Sequence, residues 1–125
     1  MKRIISILLV LFFALSLTAC GEKGKPEELN ETLYNYAINA VETVDDFLDG
    51  TISVEKAEAK ISSIMLYTDS YKSTKDGNSV DDVCVSMDIF FLKHELYLYR
   101  TGDGSKEKIT EQRNDLAESI NKSKR

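Results

Sequence analysis

The chain has no tryptophan, one proline, one histidine and two cysteines in 125 residues. A lone histidine cannot supply the His-rich sets that hold catalytic zinc. His94-Glu95 begins an HExxH pattern, but the second histidine would fall at position 98, where the chain has Leu98. No glycine-rich phosphate loop, nucleophile elbow or kinase signature is present. The acidic pairs Asp45-Asp46 and Asp81-Asp82 lack the glycine-bearing, oxygen-rich loop of an EF-hand and read as solvated surface. No metal, no cofactor and no enzymatic constellation is therefore expected.

Basic residues are also short, 16 Lys and Arg against 21 Asp and Glu. Nucleic-acid binding draws on clustered Lys and Arg, so an acidic body is not expected to bind phosphate backbones. An anionic lipid surface would repel it as well, within a screening length of ~8 Å.

One long apolar run is present, Ile4 to Leu17, broken only by Ser6 and Ser16. Lys2 and Arg3 precede it, and no acidic residue occurs before Glu22. The run is shorter than the ~20 residues of a spanning helix and suits a signal h-region. It ends in Leu17-Thr18-Ala19-Cys20. That tetrapeptide resembles the bacterial lipoprotein signature: a large apolar residue, two small ones, then cysteine. The resemblance covers residues 1–21. It implies a signal peptide over 1–19, cleavage between Ala19 and Cys20, and a diacylglycerol on the Cys20 sulfur. It also implies a lipid-anchored protein on the extracytoplasmic face of the cell membrane, with the membrane as its first partner. Two acyl chains at ~0.8 kcal/mol per buried methylene anchor a protein stably. With Cys20 lipidated, Cys84 stands alone and no internal disulfide forms. Removing Lys2 and Arg3 with the leader leaves 14 basic against 21 acidic residues and moves the net charge from −5 to −7.

Residues 20–26 read as the lipidated cysteine and a flexible tether, and 27–125 as one helical domain. Pro26, Glu27 and Glu28 suit the first turn of a helix. Leu29, Leu33, Tyr36, Ala40, Val41, Val44, Phe47 and Leu48 then recur at helical spacing up to Asp49-Gly50. Ser53 caps a second helix with Val54, Ala57, Ile61, Ile64, Thr68 and Tyr71 in a seven-residue repeat. Ser79 and Asp82 mark a third start, and Ser105 caps a weak fourth helix carrying Ile109, Leu116, Ala117 and Ile120. The spacing predicts an all-α, antiparallel four-helix bundle with helices near 27–49, 53–74, 79–101 and 105–122. Val83, Val85, Met87, Ile89 and Phe91 alternate, which leaves open an α+β domain with a strand at 83–99.

On a wheel at ~100° per residue, the third helix has two apolar stripes. Val80, Val83, Cys84, Met87, Phe90, Phe91 and Leu98 form the first, which reads as the core face with Cys84 buried in it. Val85, Ile89, Leu92, Leu96 and Tyr99 form a second, nearly opposite. Either the short fourth helix covers that second stripe, or those five residues face outward to meet a second copy or another protein. His94 falls in the first stripe, as a core histidine needing a hydrogen-bond partner or as part of a pocket with Tyr67, Tyr71 and Tyr97. The functional expectation is a protein-interaction module, with a small-ligand-binding or sensing domain as the alternative.

Overall fold

A computed structural model of the chain describes residues 24–125. The expected leader, its cleavage point and Cys20 lie outside the described residues. Four helices follow in order: α1 (Glu31–Leu48), α2 (Val54–Thr68), α3 (Val80–Thr101) and α4 (Lys106–Ser119). Two single 3-10 turns, Asp69–Tyr71 and Thr74–Asp76, join α2 to α3. No strand occurs among the described residues, and 83–99 is continuous helix, which removes the α+β alternative.

Each helix starts at a side chain that takes up otherwise orphaned amides. Asn30 Oδ1 accepts from the amides of Thr32 and Leu33, so α1 begins after it and not at Pro26. Residues 26–29 instead form a turn closed by the Leu29 amide on the Pro26 carbonyl at 3.2 Å. The last residues of the expected tether pack down with it. Lys25 Nζ donates to the Pro26 and Leu29 carbonyls, and Asn121 Nδ2 donates to the Gly24 carbonyl. Ser53 and Ser105 accept from the third amide of α2 and α4. At α3, Ser79 Oγ accepts from the Asp82 amide while Asp82 Oδ2 accepts from the Ser79 amide. Asp82 Oδ1 also accepts from the Asn30 amide at 2.7 Å, which ties the start of α3 to the start of α1.

Sequence neighbours pack against each other, and α1 meets α4 to close the ring. The pairing is antiparallel along the chain. Ser86 Oγ donates to the Thr68 carbonyl at one end of the α2–α3 pair, and Arg100 reaches Glu58 at the other. Ser119 Oγ donates to Asp88 between α4 and α3. Leu33, Ala37, Ala40, Val44, Ile61, Ile109, Leu116 and Ala117 are fully buried, as the helical spacing requires. Each fully buried Leu, Ile or Val contributes roughly 1.5–3 kcal/mol relative to exposure.

Asp45 is not simply solvated surface. Its two oxygens accept from Arg113 Nε at 2.9 Å and Nη2 at 2.8 Å, and Arg113 is buried. Arg113 Nη1 also donates to the Ser123 carbonyl, so one guanidinium joins α1, α4 and the segment after α4. Arg125 pairs with Asp45 and Asp49, and its hydrogen bond holds the Asp49 carboxyl below the usual carboxylate range. The planar guanidinium fork matches a carboxylate with two parallel bonds, which fixes α4 in rotation as well as position.

Candidate interaction surface

The two stripes of α3 face opposite ways. The second is covered, the first of its two expected alternatives, and the first is not the expected core face. Val85, Ile89, Leu92 and Leu96 have no exposure at all. Tyr99 is half-buried, edge-on to Phe47 of α1 at 5.4 Å between ring centroids. This set is core, covered by α1, α2 and α4, and forms no outward surface. The other stripe is the open one. Val80 is 65% exposed, Met87 36%, Phe90 41% and Phe91 43%. Cys84 is exposed rather than a buried hydrophobe, and His94 is exposed rather than a core histidine.

Two inward polar contacts set this rotation. Asp82 binds the Asn30 amide and Ser86 binds the Thr68 carbonyl, and both side chains are buried. They stand on the same side of α3 as Ile89, so their bonds turn Val85, Ile89, Leu92 and Leu96 inward. The opposite side then carries an apolar strip from Val80 to Leu98, exposed at Val80, Cys84, Met87, Phe90 and Phe91, with the Lys72 ammonium 5.8 Å from the Phe90 ring centroid.

The expected tyrosine pocket does not assemble. An antiparallel pair puts the end of α2 beside the start of α3, so Tyr67 and Tyr71 lie at the opposite end of the pair from Tyr97. Tyr67 stacks on Tyr36 of α1 with ring centroids 5.3 Å apart. Tyr71 donates its hydroxyl to Asn30 Oδ1. His94 and Tyr97 do share a shallow groove of about 330 Å³ with Glu58, Phe90, Lys93 and Arg100. Glu58 and Arg100 are paired there at 2.5 Å, and the Arg100 guanidinium lies over the Tyr97 ring at 5.2 Å. Glu58, Arg100 and Tyr97 are thus engaged with each other, and Lys93 and His94 complete the polar lining.

Acidic residues border the strip on its α4 side. Asp81, Asp88 and Glu95 recur every seven residues, all half-buried. Glu95 Oε2 is buried with no hydrogen-bond partner among the described residues. The Asp88 carboxyl is pushed above the usual carboxylate range, chiefly by burial; Ser119 opposes the rise and Asp115 adds to it. A folded chain that holds this proton more tightly than the unfolded chain loses stability as pH rises from the ordinary carboxylate range through the raised value. Asp88→Asn is therefore expected to raise the melting temperature at about pH 7 and to give no gain at about pH 3, where both states are protonated. Thermal melts of the two proteins at both pH values check this. An equal gain at both would assign the effect to packing instead.

No three His, Cys, Asp or Glu side chains among the described residues are placed to hold a metal ion. No helix among the described residues is long and apolar enough to cross a membrane. Comparison with family models, curated proteins and solved structures finds no match.

Proposed function

We propose that this protein is a lipid-anchored, extracytoplasmic interaction module that holds a protein partner against the outer face of α3. The observation that carries the reading is the continuous exposed strip of Val80, Cys84, Met87, Phe90 and Phe91 on a domain whose core is already closed. Water-exposed apolar side chains gathered on one face mark protein contacts, whereas scattered ones do not. The Leu17-Thr18-Ala19-Cys20 pattern supports attachment through Cys20, and the acidic surplus supports lipid rather than surface charge as the anchor. A small-ligand site has less support, because the groove at His94 is open and shallow and Glu58 is already taken up by Arg100.

A photocrosslinking amino acid placed at Phe91 in the anchored protein tests both parts. Irradiation in cells is expected to give an adduct with a second protein, and labelled fatty acid is expected to enter the wild type but not Cys20→Ser. Lipid label in Cys20→Ser would overturn the anchor. Absence of any adduct from Phe91 and from Met87 would overturn the interaction role.

A further inference from the structure

The outer strip of α3 is spaced as a helix-pairing seam. Val80, Cys84, Met87, Phe91, His94 and Leu98 are separated by four, three, four, three and four residues. That alternation is the apolar heptad repeat that keeps one helix facing another along its length. It spans nearly the whole of α3, about 30 Å at 1.5 Å per residue. The two margins of the seam differ. On the α2 side stand Val83, Phe90 and Tyr97, again seven apart, with Phe90 edge-on to Phe91 at 5.7 Å. Lys72 lies over the Phe90 ring and Arg100 over the Tyr97 ring, and these cations are paired with Asp69 and Glu58. On the α4 side stand Asp81, Asp88 and Glu95, with Asp115 of α4 close enough to act on Asp88. His94 is the polar member of an otherwise apolar seam, a device that fixes register in paired helices.

Resting on the interaction reading above, we propose that the outer face of α3 docks an amphipathic helix of a partner protein, with a heptad apolar stripe and a Lys- or Arg-rich margin that lies along Asp81, Asp88 and Glu95. The charge pattern selects this occupant. A second copy running antiparallel would set Asp88 against Asp88 and Asp81 against Glu95, because equivalent margins meet in that arrangement. A parallel copy would press the acidic margin onto Val83, Phe90 and Tyr97, where the nearby cations Lys72 and Arg100 are already held by Asp69 and Glu58. Like charges across an interface, or carboxylates against apolar groups, are both unfavourable. A basic margin removes both conflicts. An anionic lipid surface meets the same acidic repulsion.

The test uses the lipidated protein in neutral phosphatidylcholine nanodiscs and two synthetic peptides of three heptads each. Both carry the same leucine seam; one has lysine and the other glutamate along its margins. The lysine peptide is expected to bind at least about ten-fold more tightly by fluorescence anisotropy. Phe91→Glu should weaken it at least about ten-fold with an unchanged melt. That variant adds a negative charge, so a loss there reports the seam and not general attraction. Asp81→Lys combined with Glu95→Lys should invert the preference. Equal binding of both peptides, unchanged binding by Phe91→Glu, or an unaltered preference in a folded double variant would overturn the proposal. A dimer in sedimentation that buries Phe91 would also overturn it, in favour of a second copy. If neither peptide binds while Phe91 still crosslinks a foreign protein, the helix proposal falls and the interaction reading stands.

Discussion

Leu96→Lys is expected to abolish the cooperative thermal unfolding of the whole domain. Leu96 has no exposed surface and sits in the aliphatic row Val85, Ile89, Leu92 and Leu96, at the centre of the four helices. Truncation of a buried leucine alone costs about 2–5 kcal/mol. Lysine adds an ammonium group that must stay buried without a partner or tear the α3 contacts open to reach water. A domain of this size holds about 5–15 kcal/mol in total. The sum of the two penalties consumes most or all of it. Circular dichroism melts should lose their sigmoidal transition. Phe91→Lys is the matching control, on the same helix but 43% exposed, and should melt within a few degrees of the wild type. A cooperative melt for Leu96→Lys, close to that of the control, would mean that α3 is rotated about its axis with Leu96 facing water.

That orientation is the part of the structure least legible in the sequence. α1 and α2 each have one apolar side, and their buried residues fall on it: Leu33, Ala40, Val44 and Phe47 in α1, and Ala57, Ile61, Ile64 and Thr68 in α2. The serine caps at Ser53, Ser79 and Ser105 were equally plain, because capping is a local matter of a hydroxyl and an amide three residues on. α3 offers two apolar sides, and periodicity assigns no preference between them. What decides is long-range: Asp82 reaching the Asn30 amide and Ser86 reaching the Thr68 carbonyl. Read locally, both are polar residues on a margin, and they look like surface. Read across the bundle, they are bonded core residues that turn the helix. One local clue exists. The row Val85, Ile89, Leu92 and Leu96 is wholly aliphatic, whereas the other side contains His94 and Cys84. A side interrupted by histidine is the poorer candidate for a dry core.

The Arg113–Asp45 pair escaped sequence reading for a similar reason. Its members lie 68 residues apart, and neither one alone differs from an ordinary surface charge. The pair also shows why α4, with a thin apolar side, holds its place. Ile109, Leu116 and Ala117 supply the burial, and the bidentate bond supplies the direction.

The connection that lays α4 onto α3 yields the second large effect. Gly104→Ala is expected to destabilise the domain by about 2–3 kcal/mol, lowering the melting temperature by about 10 °C or more. α3 ends at Gly102, whose φ of +94° is the left-handed turn that glycine adopts without penalty. The Asp103 and Gly104 amides then both donate to the Leu98 carbonyl, at 2.9 and 3.0 Å. This brings the loop backbone hard against the last turn of α3. A Cβ at position 104 would stand 2.5 Å from the Tyr99 nitrogen and 2.9 Å from the Leu98 carbonyl carbon. Both neighbours are backbone, so no side chain can swing away to make room. The loop must lift, and the two bonds to Leu98 and the Ser105 cap one residue later go with it. Gly50→Ala provides the comparison. Its φ of +79° strains an added side chain, but a Cβ there meets nothing within 4 Å among the described residues. It should cost about 1 kcal/mol, the backbone penalty alone. Denaturant titrations of the two variants separate these cases, since both change stability without changing charge. A Gly104→Ala loss no greater than that of Gly50→Ala would mean that the loop yields freely. The seating of α4 would then rest on its buried face and Arg113 rather than on the turn that precedes it.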